Sequence, residues 1–424
     1  MNRNRNHVLA VAAIFCGVLI ASPARVASQT EVTRSDWTGG VNLPSYVKMY
    51  IYVPKTLATK PPLIVSSHAC QSSVSGQMSN NSKIKAMADK NGFIMIFPDN
   101  QGQNCWDVGS KQALTHDGGG DPHAVAQMVR YALKKYNGDS SRVYALGGSS
   151  GGMMTQALLA VYPEIFMAGA PRAGVPCGCW AESYNAGQQW SDPCAGGSVS
   201  KTAQQWGDLV RAINPKYTGH RPRVQIFQGE SDQTISFKNS GESIKEWTNV
   251  LSLNTNPDST DKISPPAAGY TYNRKFWKNK CGFTVLEAWS APGQGHSMTY
   301  EEDAIMKFFG IDVAGGRDPE LAACGTSGMG GAGGTIGDHR RILFKDKALV
   351  LNAVRADEVS VTIVNASGRI QYNRNHRICS NKVSISIPLS FLHSGYYISS
   401  AIFYEGNKQI NCDNIHFVLT NRVF

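Results

Sequence analysis

The sequence predicts an α/β fold, a mostly parallel sheet covered by helices, followed by a small C-terminal all-β sandwich domain. Three observations point there. Short β-branched and aromatic runs alternate with helix-forming stretches up to about residue 310, the order expected of a parallel sheet. Residues 142–155, Arg-Val-Tyr-Ala-Leu-Gly-Gly-Ser-Ser-Gly-Gly-Met-Met-Thr, lead a buried strand through a Gly-x-Ser-x-Gly pentad straight into a helix. Beyond a glycine-rich stretch at 314–337, apolar and polar positions alternate in short runs separated by turns.

At the N-terminus, Arg3 and Arg5 precede an almost uninterrupted apolar run from Val8 to Ile20, and small residues follow through Ala24 and Ser28. That is the order of a secretory leader. Cleavage after Ala24 or Ser28 fits the small-residue preference; Ser28 is favoured, giving a leader at 1–28 and a catalytic domain at 29–313. The apolar run is short for a bilayer span, Phe15 before Cys16 is too bulky for lipid attachment, and no other stretch is apolar enough to cross a membrane. A secreted protein is expected. Without the leader the formal charge falls from +10 to about +7. Moderate basicity suits a polysaccharide bearing uronic acids or simply a solvated surface; with no arginine-rich runs or interleaved aromatics, nucleic acid is not an expected partner. Ten cysteines, nine after cleavage, indicate disulfides in an oxidising compartment, with one thiol left free or bonded outside the chain. None lies at zinc spacing, and no metal or other cofactor is expected.

In chain order, Val47 to Val53 reads as an edge-type strand, Pro62 to Ser67 as a buried one, Ser82 to Lys90 as a short helix and Phe93 to Phe97 as another buried strand. A loop leaving a central strand well before the pentad is where a second oxyanion donor is expected; here it is His68-Ala69-Cys70-Gln71, with Cys70 or Gln71 as donor and His68 without chemistry. Asp121 and Pro122 open a helix to about Tyr136, Asp121 as its N-cap. The pentad predicts a nucleophile elbow centred on Ser149, small residues at Gly147 and Gly151 letting strand and helix approach, and the Ser150 amide facing a developing oxyanion. Phe166 to Ala170 is a strand. Ala173 to Ala195 is a loop carrying Trp180, Tyr184 and Trp190 that lines a cleft or forms a disulfide-tied cap. After the strand Arg223 to Phe227, Asp232 is the expected triad acid, with Glu230 as rival. After the strand Thr284 to Trp289, His296 stands on a glycine-rich loop in the order Ser, Asp, His, and Glu301 to Phe309 closes the domain. The linker at 314–337 leads to a β-sandwich at 338–424 that Cys379 and Cys412 could staple.

Beyond these readings, His68-Ala-Cys70, Asn104-Cys-Trp-Asp107, Leu114-Thr-His-Asp-Gly-Gly-Gly-Asp121, Lys135-Tyr-Asn-Gly-Asp139, the elbow, Gly229 to Asp232 and Gly295-His296 resemble carbohydrate esterase family one, which includes acetylxylan esterases, feruloyl esterases and polyhydroxybutyrate depolymerases. The likeness covers about 35–310 and is strongest to secreted acetylxylan esterases. It implies an α/β-hydrolase fold, ester hydrolysis on acetylated or feruloylated xylan of plant cell walls, a Cys70–Cys105 disulfide, and substrate contacts from Trp106 beside the site and from Gln71. Ala69 stands where many relatives have glycine and Gln228 where many have histidine, so the acyl pocket and leaving-group side are expected to differ. The tail, through Val361-Thr-Ile-Val-Asn-Ala-Ser-Gly-Arg369 and Ser394-Gly-Tyr-Tyr397, more loosely resembles sorting domains of type IX secretion, which implies an outer-membrane export machinery as partner; a carbohydrate-binding module is the competing reading.

Overall fold

The computed structural model describes residues 28–183, 189–265, 268–299 and 301–324, and beyond 341 the seven strands given below. The chain divides into two compact units, Met1–Ile336 and Gly337–Phe424. Residues 1–27 of the expected leader, Tyr184, Cys379 and the linker from 325 on lie outside the described residues.

The first unit is built on a ten-stranded sheet: β1 (Ser28–Val32), β2 (Lys48–Val53), β3 (Leu63–Ser67), β4 (Ile94–Asp99), β5 (Val143–Gly148), β6 (Ala168–Arg172), β7 (Arg223–Gly229), β8 (Ser259–Ile263), β9 (Tyr272–Lys278) and β10 (Thr284–Ala291). Side by side they run β1-β2-β4-β3-β5-β6-β7-β10-β9-β8. The six strands from β4 to β10 are parallel, with antiparallel pairs at each edge. β3, β4, β5 and β7 are buried at every position; the first part of each of β3, β4 and β5 reads accordingly as an apolar run, while β7 also buries Arg223, Gln225 and Gln228. The stretch at 47–53 is not the edge. β1, whose Gln29-Thr30-Glu31 carries no apolar period, adds outside it from Ser28↔Val53 to Val32↔Met49, so the sheet begins at the last residue assigned to the leader.

Among the described residues its α-helices are α1 (Arg34–Thr38), α2 (Val74–Asn80), α3 (Ser82–Asn91), α4 (Asp121–Tyr136), α5 (Ser150–Val161), α6 (Asp192–Ala195), α7 (Ala203–Ile213), α8 (Lys238–Val250), α9 (Glu302–Phe309) and α10 (Pro319–Cys324). Strand alternation sends Leu63, Val65, Ile94, Ile96, Val143 and Ala145 into one core with α4, α5, α7 and α8. It sends Ile64, Met95, Tyr144 and Leu146 into the other with α3 and α9, where Tyr144 stacks on Phe309 at 4.6 Å.

Two expectations need correction. Asp121 is not the N-cap of α4: Gly120 is, and Asp121, the first helical residue, turns its carboxylate back to accept from the Tyr46 hydroxyl (2.8 Å) and the Asp107 amide (3.0 Å). The stretch from 314 is not all linker either. Arg223, fully buried, pairs with Asp318 at 2.7 and 2.9 Å, and a Cys281–Cys324 disulfide ties α10 down, so the first unit is anchored as far as Cys324.

In the tail, β11 (Ile342–Lys345), β12 (Ala348–Ala353), β13 (Glu358–Asn365), β14 (Ile370–Arg377), β15 (Val383–Pro388), β16 (Gly395–Glu405) and β17 (Lys408–Leu419) form two antiparallel sheets, ordered β11-β12-β15 and β14-β13-β16-β17. Val361 and Ile363, two positions apart on β13, are both buried.

Candidate active site

Between β5 and α5 the chain turns at Ser149 with φ 56° and ψ −124°, a strained conformation for a residue with a side chain. The turn is held by the Ser149 amide donating to the Arg172 carbonyl at 2.9 Å. A Cβ at Gly151 would overlap the Ser67 carbonyl oxygen and crowd that of His68, so only glycine lets the helix start this close to the loop after β3. The Ser149 hydroxyl is left half-exposed above the C-terminal ends of the parallel strands.

The loop after β10 brings His296 over it. Nε2 lies 2.9 Å from Ser149 Oγ and Nδ1 lies 2.8 Å from Asp232 Oδ2. With the Nδ1 proton directed at the carboxylate, Nε2 is free to accept from the serine hydroxyl. Asp232 is fully buried and meets four donors: His296 and the Gln228 amide on Oδ2, the Thr234 and Ile235 main-chain N–H groups on Oδ1. The acid turn and the histidine loop are joined directly, Ser231 N–H donating to the Gln294 carbonyl (2.9 Å) and Glu230 N–H to the Ala291 carbonyl (3.0 Å). Gly229 permits this, since a Cβ there would overlap the carbonyls of Gln294 and Gly295. Beyond the histidine, the Met298 carbonyl accepts from Arg172, and Thr299 is held by Tyr270 and Tyr272. Glu230, the rival acid, faces away, accepting from Ser290 (2.6 Å) and Asn273 (3.2 Å).

On the other side of Ser149, a Cys70–Cys105 disulfide joins the loop after β3 to the loop after β4. Of the two candidate amides on this loop, that of Gln71 already donates to the Asn104 carbonyl at 2.7 Å. The Gln71 side chain is exposed and bonded to Asn104. Ser150 opens α5, so its N–H has no partner within the helix. Trp106 is not on the cleft surface. It is fully buried, its indole N–H donating to the His68 carbonyl (2.9 Å) and its main-chain N–H to Ser150 Oγ (2.8 Å), so it supports the oxyanion side from beneath. Behind it Asp121 holds the Asp107 amide. Burial pushes the Asp121 carboxyl up to about 7, against the opposing pull of its hydrogen bonds from Asp107 and Tyr46.

Comparison with known proteins decides what this geometry belongs to. The family described as "Esterase PHB depolymerase" matches residues 45–248. The chain is 38% identical to a "Probable acetylxylan esterase A" of Neosartorya fischeri over 72% of its own length and 81% of the relative's. It is 40% identical to "Feruloyl esterase B" of Thermothelomyces thermophilus over 69% and 96%. The chain belongs to the acetylxylan and feruloyl esterase family. A solved structure, "Acetyl xylan esterase from Aspergillus awamori", superposes with a TM-score of 0.59 at 34% identity, covering 67% of this chain and 99% of that one, so the first unit has the α/β-hydrolase fold. It is a serine esterase.

Above the esterase's cleft lies a cap tied by a Cys179–Cys194 disulfide. Gln189 accepts from the Cys105 amide on the oxyanion side (3.2 Å), while the Ala195 carbonyl accepts from Ser236 just past the acid turn (2.8 Å) and the Cys194 carbonyl from Asn239 on α8 (2.9 Å). The cap therefore bridges both sides of the site. Trp180 is buried; Trp190 packs edge-on against it at 4.9 Å and stays half-buried, fixed by its indole N–H to Asp192 (2.8 Å). Sequence reasoning missed Gln189, which has no motif signal, and saw Gln228 only as a departure from the family pattern. Beneath the cap, Cys177, the free thiol among the described residues, and Glu246 are buried side by side, and burial pushes both groups well up. A cavity of about 1030 Å³ at the opposite end of the sheet, lined by His220, Arg221, Lys278 and Glu320, holds none of the groups around Ser149.

Proposed function

We propose that this esterase is exported and removes acetyl groups from xylan by acyl transfer through Ser149. The single observation that carries the mechanism is His296 bridging Ser149 and Asp232 at 2.9 and 2.8 Å. As Ser149 Oγ attacks the acetyl carbonyl, His296 Nε2 takes its proton, and Asp232 fixes the tautomer and stabilises the imidazolium. The Cys70 and Ser150 amides stabilise the oxyanion, each contributing about 3 kcal/mol by comparison with similar donors. Collapse expels the sugar hydroxyl, protonated by His296. Water, deprotonated by the same imidazole, then releases acetate and regenerates the serine.

Acetylated xylan is supported by relatives named acetylxylan esterases, the 38% identical one among them. Feruloyl ester hydrolysis is the second reading, favoured by the feruloyl esterase matched over 96% of its length. Polyester cleavage, as in the polyhydroxybutyrate depolymerases, is supported by the family match alone. The exposed Gln71, and Trp190 half-exposed on the cap, are the contacts proposed for the sugar or acyl chain. Export rests on the leader pattern; among the described residues no helix is long and apolar enough to cross a membrane. The tail, with its two antiparallel sheets, reads as a sandwich that sorts the protein through the outer membrane or binds polysaccharide.

The test sets acetate release from acetylated xylan against ferulate release from a feruloylated oligosaccharide. Acetate should dominate, and Ser149→Ala should abolish it while leaving xylan binding intact. Dominant ferulate release favours the second reading. Binding without hydrolysis in the wild type would mean a polysaccharide-binding protein.

A further inference from the structure

Gln228 is the penultimate residue of β7, just before the acid turn, and is 1% exposed. Its Nε2 donates twice, to Asp232 Oδ2 at 2.8 Å and to the Ile235 carbonyl at 2.9 Å. Both partners are acceptors, so the amide orientation is forced: the NH2 group must face them. The oxygen it reaches is the one His296 Nδ1 also reaches, at 2.8 Å. The remaining carboxylate oxygen is occupied by two main-chain donors, which no side-chain substitution removes.

We propose that Gln228 is a positioning residue that sets the strength of the Asp232–His296 bond and so the pH at which His296 becomes a competent base. Two donors on one carboxylate oxygen share its charge; the amide draws off part of what the imidazole would otherwise feel. An amide does not titrate, so this restraint is the same at every working pH. Its second bond, to Ile235, pins the turn whose N–H groups hold Oδ1. Asp232 is thus fixed through one oxygen by main chain and moderated through the other by a neutral side chain.

The sign follows. Without the amide donor, Oδ2 belongs to His296 alone, the imidazolium is favoured, and the acid limb of kcat/KM moves to higher pH. With a neutral ring N–H in place of the amide, Oδ2 keeps a second donor and the limb stays near its wild-type position.

The proposal rests on Ser149, His296 and Asp232 being the hydrolytic machinery, and its test separates the two. The pH dependence of kcat/KM for p-nitrophenyl acetate is measured for the wild type, Ser149→Ala, Gln228→Met (similar length, no donor) and Gln228→His. Gln228→Met should shift the acid limb up by roughly half a unit and move the downfield proton resonance of the His296–Asp232 bond. Gln228→His, whose buried neutral imidazole still carries one N–H donor, should leave the limb near its wild-type position. Lower kcat with an unmoved limb in Gln228→Met, or an equal shift in Gln228→His, would overturn the role of Gln228 while leaving the site reading intact. Wild-type hydrolysis that survives Ser149→Ala would instead overturn the site reading. Should the methionine variant fail to fold, Gln228→Leu, which also lacks a donor, decides by the same upward shift, which a purely structural glutamine would not give.

Discussion

Each side of Ser149 hides a carboxylate, and the two are held in different ways. Asp232, on the acid side, has four donors around two oxygens. Asp121, on the oxyanion side, is just as buried but meets Tyr46 and the Asp107 amide, and its carboxyl is pushed to about 7. Under the cap Glu246, beside the Cys177 main chain, is driven well up by burial too. Burial is common to all three; what differs is the number of donors aimed at the oxygens, four for Asp232 and two for Asp121. The acid side concentrates donors where an imidazolium must form. The oxyanion side uses a carboxyl to pin a backbone turn, a task that either protonation state performs.

The largest expected effect tests that contrast directly. Asp232→Asn should lower kcat by roughly 10⁴-fold through the wrong histidine tautomer, whereas Asp121→Asn, which keeps an acceptor for Asp107, should leave kcat within about tenfold of wild type. Equal losses would erase the distinction. Next, replacing Cys70 and Cys105 by serine opens a cross-link of sequence separation 35; urea unfolding should show a loss of up to about 4 kcal/mol, with kcat falling as the Cys70 amide loses its place. No acid-side substitution at Gln228 should cost comparable stability.

A third expectation concerns pH. The Asp121 carboxyl titrates near 4 in the unfolded chain and at about 7 in the fold. A raised folded value means the contribution is fully present below about pH 4, falls as pH rises, and is flat above about pH 7. Stability should decline by on the order of 2–4 kcal/mol across that window in the wild type and less steeply in Asp121→Asn; parallel curves from urea melts would contradict it. The smallest effect is Ser150→Ala. It leaves the buried Trp106 amide without its acceptor and should cost about 1–2 kcal/mol with a few-fold drop in kcat.

The parts of this arrangement legible in the sequence were those written locally. The pentad, its flanking strand and helix, and the placing of Asp232 and His296 after later strands depend on short patterns and chain order. The parts not legible depend on partners far along the chain. Asp121 carries the residue type and position of an N-cap, yet its carboxylate answers to Tyr46, 75 positions away. Trp106 could be placed beside the site by resemblance, but nothing local says it is sealed beneath it. β1 is polar and joins the sheet only through pairing with β2, and Gln189 and Gln228 are ordinary amides until their acceptors are in place.

The central claim is that Ser149 becomes acylated with His296 as its base. Mass spectrometry of protein quenched during turnover of p-nitrophenyl acetate tests it most directly. The account predicts one added acetyl group on the peptide containing Ser149, absent in Ser149→Ala and strongly reduced in His296→Ala. Steady hydrolysis with no acyl group on Ser149, persisting in Ser149→Ala, would contradict it.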